Sequence, residues 1–80
     1  MKLSVYSLKK ILYRGEASSI NCQTVSGEIT ILKHHRPLLS MLKRGALKIL
    51  DDKKQEHFVP VKSGFLEVNK DGQVRMIVEE

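Results

Sequence analysis

The chain has 80 residues and a formal net charge of +5 at pH 7, with a pI near 9.6. A chain this short buries only a little over ~60% of its unfolded surface and supports one core, so residues 1–80 are read as a single domain. Hydrophobic residues at 41% and charged residues at 29% exclude a disordered chain. No apolar run approaches the ~20 residues of a membrane-spanning helix, and the start lacks the apolar stretch of a signal peptide, which points to an intracellular protein.

Residues 2–6 open the chain with Leu3 and Val5 alternating against Lys2 and Ser4, the period-two pattern of a half-buried strand. Further strands are expected over 9–14, 17–24 and 28–32, separated by turn chemistry at Arg14-Gly15 and Ser26-Gly27. The segment Leu38 to Leu42 fits either one helical turn or a short strand, and Pro37 disfavours the helical region for Arg36 just before it. After Arg44-Gly45, strands over 46–50 and 55–62 flank the turn Asp51-Asp52-Lys53-Lys54. Pro60 donates no ladder hydrogen bond, which places its strand at an edge or a bulge. Strands over 64–68 and 73–78 complete the set, preceded by Ser63-Gly64 and divided by Asn69-Lys70-Asp71-Gly72. In the last of them Val74, Met76 and Val78 alternate with Gln73, Arg75 and Ile77. Many short strands at even spacing predict an all-β sandwich or barrel, with Gly27, Gly45, Gly64 and Gly72 at its turns.

Few residues offer chemistry. Cys22 is the sole cysteine, so neither an internal disulfide nor a cysteine-rich metal site can form. It falls in the alternating run Ile20, Cys22, Thr24, where a small buried residue is expected rather than a nucleophile. His34 and His35 are adjacent and would point to opposite faces of a strand, so with His57 they read as surface or loop histidines rather than metal ligands. No glycine-rich phosphate loop and no Gly-x-Ser-x-Gly motif is present, and an enzyme is not expected. The basic residues come in ones and twos, as Lys9-Lys10, Lys43-Arg44 and Lys53-Lys54. A small basic β-barrel that binds nucleic acid is the competing reading. It is poorly supplied with stacking platforms, because Tyr6, Tyr13, Phe58 and Phe65 do not cluster on one alternating strand.

Residues 27–45 run from Gly27-Glu28 through Ile31-Leu32 and His35-Arg36-Pro37-Leu38-Leu39 to Leu42 and Gly45. This resembles the signature of the epsilon (stalk) subunit of F-type ATP synthases. A second block, Phe58 to Val68 with Ser63-Gly64-Phe65-Leu66-Glu67-Val68, resembles that family's glycine-centred hairpin. The opening Leu3 to Ser7 with Arg14 to Ala17 is similar to its start. The chain departs from the pattern at Thr30, His34 and Ser63, where the family often has glycine.

The resemblance implies a ten-stranded β-sandwich, or flattened barrel, of two antiparallel sheets. It implies a non-catalytic rotor subunit between the gamma subunit and the c-ring, on the cytoplasmic face of the cell membrane, peripheral and without direct insertion. Glu28 and Ile29 would meet the c-ring, while His35, Pro37, Leu38, Leu39 and Leu42 would face gamma. Leu38, Leu39, Met41 and Leu42 crowd five positions, and some are expected to stay exposed. Family members continue into a C-terminal helical hairpin that carries regulation. A short form ending at Glu80 is expected to couple without regulating, and to need no cofactor.

Overall fold

The alternation becomes, in a computed structural model describing residues 1–80, eight β-strands and no helix. They are β1 (Lys2–Tyr6), β2 (Ile11–Thr24), β3 (Gly27–Leu32), β4 (Leu38–Leu42), β5 (Gly45–Asp51), β6 (Glu56–Val61), β7 (Ser63–Val68) and β8 (Val74–Glu79). The order along the sheet is β1-β8-β7-β4-β2-β5-β6, with β3 on β2 and a further β1–β2 pairing that closes a ring. Eight strands in one continuous sheet replace the expected ten in two sheets. The pairing is antiparallel except between β1 and β8, which run parallel, an arrangement that the long intervening chain permits.

The eight segments of the alternation stay eight in number because two of them merge into β2, a single strand of 14 residues, while Leu38–Leu42 adds β4. Fourteen residues at ~3.3 Å each would run ~46 Å if straight. The molecule measures only 25 × 24 × 20 Å, so β2 has to bend. Gly15 lies inside the strand with φ 156°, a backbone angle that other residues rarely adopt. Two bulges add to the bend. Against β1, Val5 faces Tyr13 and Tyr6 faces Ile11, leaving Leu12 unopposed. Against β5, Ala17 faces Asp51 and Ser19 faces Leu50, leaving Ser18 unopposed. The Ser18 hydroxyl donates to the carbonyls of Leu50 and Asp51, at 3.1 and 3.3 Å. Beyond that residue the inward parity changes from Ala17 to Ile20, Cys22 and Thr24.

Leu38 to Leu42 is a strand. Its residues pair one for one with β7, from Leu38 opposite Val68 to Leu42 opposite Gly64, so the ladder supplies the hydrogen bonds a helical turn would have made internally. Pro60 sits in β6, which pairs only with β5 and is an edge. Sixteen apolar residues form one core, among them Val5, Ile20, Ile31, Ile49, Leu66 and Met76, all without solvent exposure. The one buried polar side chain, Thr24, is satisfied: its hydroxyl donates to the Gly27 carbonyl at 2.8 Å and accepts the Ser26 N–H at 3.1 Å.

The glycines expected at turns divide. Gly72 lies in the β7–β8 turn with φ 77°, and Gly27 opens β3 with φ 120°. Gly45 and Gly64 lie in β5 and β7 themselves. At Gly64 the reason for glycine is close approach, since an added Cβ would press into the Ile77 carbonyl and come within 2.9 Å of the Val78 Cα. Both are backbone atoms of the neighbouring β8 and cannot swing aside. Gly64→Ala should therefore force β7 and β8 apart and cost about 1–3 kcal/mol. A fall in Tm of at least several degrees in thermal unfolding is the expected result, and an unchanged Tm would contradict the close approach.

Candidate docking site

The two outward surfaces of the sheet differ in character. On the half formed by β2, β3, β5 and β6, polar pairs cross the strands: Asn21 donates to Thr30 at 3.0 Å and Lys48 meets Glu56 at 3.1 Å. On the half formed by β4, β7, β8, β1 and the start of β2, the registers bring apolar side chains into line. Met41 faces Phe65, Phe65 faces Ile77, Ile77 faces Tyr6, and Tyr6 faces Ile11. Four of these five remain open to solvent, Met41 at 52%, Phe65 at 55%, Ile77 at 52% and Ile11 at 50%. Neighbouring strands lie ~4.8 Å apart, so a row five strands wide is ~19 Å long. Exposed Val25 extends it, because its N–H donates to the Met41 carbonyl at 3.1 Å.

A charged row runs beside the apolar one. Leu39, 76% exposed, faces Glu67; Glu67 faces Arg75; Arg75 faces Ser4; and Ser4 faces Arg14. Arg75 and Glu67 form an ion pair of 3.3 Å. Arg14 donates to the Tyr6 hydroxyl at 3.3 Å and lies 5.9 Å from its ring centroid. An apolar strip bordered by fixed charges is the anatomy of a protein-docking surface, where the strip supplies affinity and the border supplies orientation.

The residues singled out from sequence fall on both sides of this geometry. Leu39 is exposed beside the row, as is Met41 within it, so part of the crowded Leu38–Leu42 cluster stays open to solvent. Leu42, only 4% exposed, is a core residue and cannot meet a partner through its side chain. Leu38 and Ile29 also turn inward and pack on the core. His35 is half-buried and Pro37 exposed in the loop just before β4. Glu28 is exposed in β3 opposite Gln23.

The row itself was missed. Ile77 was legible as an outward apolar residue of its strand, but nothing in its own segment says that Phe65 and Tyr6 lie on either side. The four aromatics stand on four different strands, as expected, but register sets Tyr6 and Phe65 on one face, on either side of Ile77. Phe65 lies between Met41 and Ile77, and the cation beside Tyr6, Arg14, is engaged by the Tyr6 hydroxyl, so the face is an apolar strip rather than a basic groove.

The remaining reactive groups are accounted for by structure. Cys22 is buried, and burial pushes its thiol up to about 11, which leaves it protonated and unreactive at neutral pH. His57 is a surface histidine of β6 rather than of a loop, with Nε2 2.9 Å from Asp51 Oδ2 and its ring 5.2 Å from that of Tyr13. Asp51 also accepts the backbone N–H groups of Lys53 at 2.8 Å and Gln55 at 2.9 Å. No group of three or more His, Cys, Asp or Glu side chains is placed to hold a metal.

Fold and surface together define a small all-β interaction domain. Over residues 1–80 it matches the family described as ATP synthase, Delta/Epsilon chain, beta-sandwich domain, and the chain belongs to that family. It is 38% identical over 73 residues to ATP synthase epsilon chain 2 of Burkholderia orbicola (strain AU 1054), covering 90% of this chain and 48% of the relative. It is 37% identical over 68 residues to the ATP synthase epsilon chain of Clostridium novyi (strain NT), covering 85% of this chain and 52% of the relative. The chain thus spans about half the length of these curated relatives. Among solved structures the fold resembles a chain of the Euglena gracilis mitochondrial ATP synthase, OSCP/F1/c-ring, with a TM-score of 0.90 at 22% identity, covering 98% of this chain and 49% of that one. It also resembles a chain of the Tetrahymena thermophila mitochondrial ATP synthase central stalk/c-ring, with a TM-score of 0.85 at 20% identity, covering 100% of this chain and 63% of that one.

The Asp51 cluster generates a pH dependence. The hydrogen bond from His57, followed by that from the Gln55 N–H, lowers the Asp51 carboxyl below its ordinary value of 3.8. A carboxyl depressed in the folded state is protonated first in the unfolded chain. Its contribution to stability is therefore complete above the ordinary value and is lost as pH falls through the lower folded one. Asp51→Asn should lower Tm at neutral pH and flatten the decline of Tm between neutral pH and pH ~2. Parallel acid profiles for the two proteins would show that Asp51 contributes nothing through its charge.

Proposed function

We propose that this chain is a non-catalytic docking element of the central stalk of an F-type ATP synthase. It is fastened to the gamma subunit through the apolar row and presents Glu28 to the polar loops of the c-ring. The observation that carries this reading is the row Met41, Phe65, Ile77, Tyr6 and Ile11 with its charged border, a surface built to be covered by another protein. Membership of the delta/epsilon family, the epsilon-chain relatives and the stalk and c-ring assemblies that hold the similar folds support the choice of partners.

The two contacts use different parts of the molecule. The apolar row lies across β4, β7, β8 and β1, whereas Glu28 stands beside the β2–β3 turn. His35 and Pro37 lead into β4 next to Leu39 and flank the gamma contact. A stalk piece that holds two partners at once passes on rotation of one to the other. In this role it sits peripherally, on the cytoplasmic face of the cell membrane.

Each large apolar side chain that becomes fully buried contributes about 1.5–3 kcal/mol. Phe65→Asp and Ile77→Asp replace that gain with a desolvated charge, so each should weaken gamma binding by at least about 2 kcal/mol, roughly thirtyfold. Because both positions face solvent in the free domain, the variants should keep a native unfolding transition. Gel filtration and calorimetry with purified gamma read the outcome, and folded variants that bind gamma normally would remove the row from the interface. Glu28→Lys tests the other contact: it should leave gamma binding intact and change stability by no more than ~0.5 kcal/mol, yet weaken coupling of ATP hydrolysis to ion pumping. Equal loss of Tm and coupling would show that Glu28 is structural.

A further inference from the structure

At the end of the molecule where β3 leads into β4 and β7 into β8, a cleft of about 530 Å³ opens between the two connections. Lys33, His34, His35, Arg36 and Pro37 line it from one side, and Lys70, Asp71 and Gly72 from the other. None of these residues belongs to the apolar row. Lys33, Arg36 and Lys70 bring three permanent positive charges against the single carboxylate of Asp71. None of the three takes part in any ion pair of the molecule. The terminal amino group of Met1, at the cleft margin, is already held by Glu16 at 3.2 Å.

Both walls are braced from within. The His35 N–H donates to the Leu32 carbonyl at 3.2 Å, and His34 is held in the left-handed region at φ 66°. Opposite, Asn69 Oδ1 accepts the N–H groups of Asp71 and Gln73, both at 2.9 Å, and the Gly72 N–H donates to the Asn69 carbonyl at 3.1 Å. The cationic side chains therefore rise from two turns whose backbones are fixed, so only the side chains remain to be ordered on binding. His35 Nδ1 lies 2.7 Å from the Arg36 carbonyl, an acceptor only, so Nδ1 carries the proton and donates there. In the neutral ring Nε2 is then an acceptor and is left to water, so His35 is not counted among the donors to an anion.

We propose that this cleft binds a phosphate-bearing anion. Arg36 supplies a planar fork of N–H donors and Lys33 and Lys70 supply point charges, a combination that suits an oxyanion with several acceptor oxygens. The volume exceeds that of a single water or halide many times and admits a diphosphate. The same group can come from a soluble phosphate compound or from the headgroup of an anionic lipid. The site lies outside the apolar row, although His35 and Pro37 border both, and it is tested on the 80-residue chain alone.

Sodium pyrophosphate titrated at low salt, followed by amide chemical shifts, should give saturable changes concentrated in residues 33–36 and 69–72, with Kd below about 1 mM. Arg36→Ala and Lys70→Ala should each weaken binding by about tenfold, while Lys9→Ala, at the other end, leaves it unchanged. Native shift dispersion in each variant separates lost binding from lost folding. Sedimentation with phosphatidylglycerol vesicles, against phosphatidylcholine vesicles, then separates the sources. Binding to the anionic vesicles that pyrophosphate displaces assigns a lipid headgroup, and its absence alongside pyrophosphate binding assigns a soluble phosphate. Shifts that never saturate, that spread equally to Lys9, Lys53 and Lys54, or that survive both Arg36→Ala and Lys70→Ala would overturn the proposal.

Discussion

The fold depends on one strand that is too long for the molecule. β2 contributes its first half to the pairing with β1 and its second half to the pairings with β3 and β5, and only Thr24, opposite Leu42, joins it to β4. To serve all four neighbours within a body about 25 Å across it bends, and the bend is made by Gly15 and by the unopposed residues Leu12 and Ser18. Each extra residue reverses which side of the strand faces inward, so the core can be lined by Ala17 on one side of the bulge and by Ile20 and Cys22 on the other. Without the bulge at Ser18, Asn21 and Gln23 would point into the core in place of Ile20 and Cys22.

The same closure gives the molecule two unlike outer surfaces. Closing the ring through the parallel pairing of β1 with β8 sets Tyr6 beside Ile77, and this completes an apolar row that begins at Met41. The opposite surface carries the polar pairs Asn21–Thr30 and Lys48–Glu56, and its exposed Leu32 and Phe58 stand on separate edge strands rather than in a row. A small domain with a single core gains nothing for its own stability by exposing Met41, Phe65, Ile77 and Ile11 together. The arrangement is explained by a partner that removes them from water.

Connections carry the charged chemistry because strands have used their inward positions for packing. The β5–β6 turn folds around the Asp51 carboxylate, which gathers two backbone N–H groups and His57. The β3–β4 and β7–β8 connections instead leave Lys33, Arg36 and Lys70 without carboxylate partners at one end of the molecule. The β5–β6 turn satisfies the Asp51 carboxylate internally, although its Lys53 and Lys54 stay unpaired; the other two connections leave their cations open.

The sequence by itself determined the all-β class, the turn positions around residues 26, 52 and 71, the restriction of Pro60 to an edge or a bulge and the inward set Val74, Met76 and Val78. Alternation is a local property, set by the pleat of each strand, and so is turn chemistry. Family membership was legible as well, because the stretch from Gly27 to Gly45 can be read without knowing its neighbours. Tertiary structure alone decided that residues 11–24 form one strand, that Leu38 to Leu42 pair with β7 and that Leu42 and Ile29 turn inward. It also decided that Tyr6, Phe65 and Ile77 stand in one row, and that two turns 33 and more residues apart in sequence face each other across a cleft. Period-two patterning says which side of a strand a residue occupies, whereas its cross-strand neighbour depends on register, and register is set by bulges and by ring closure between segments distant in the chain.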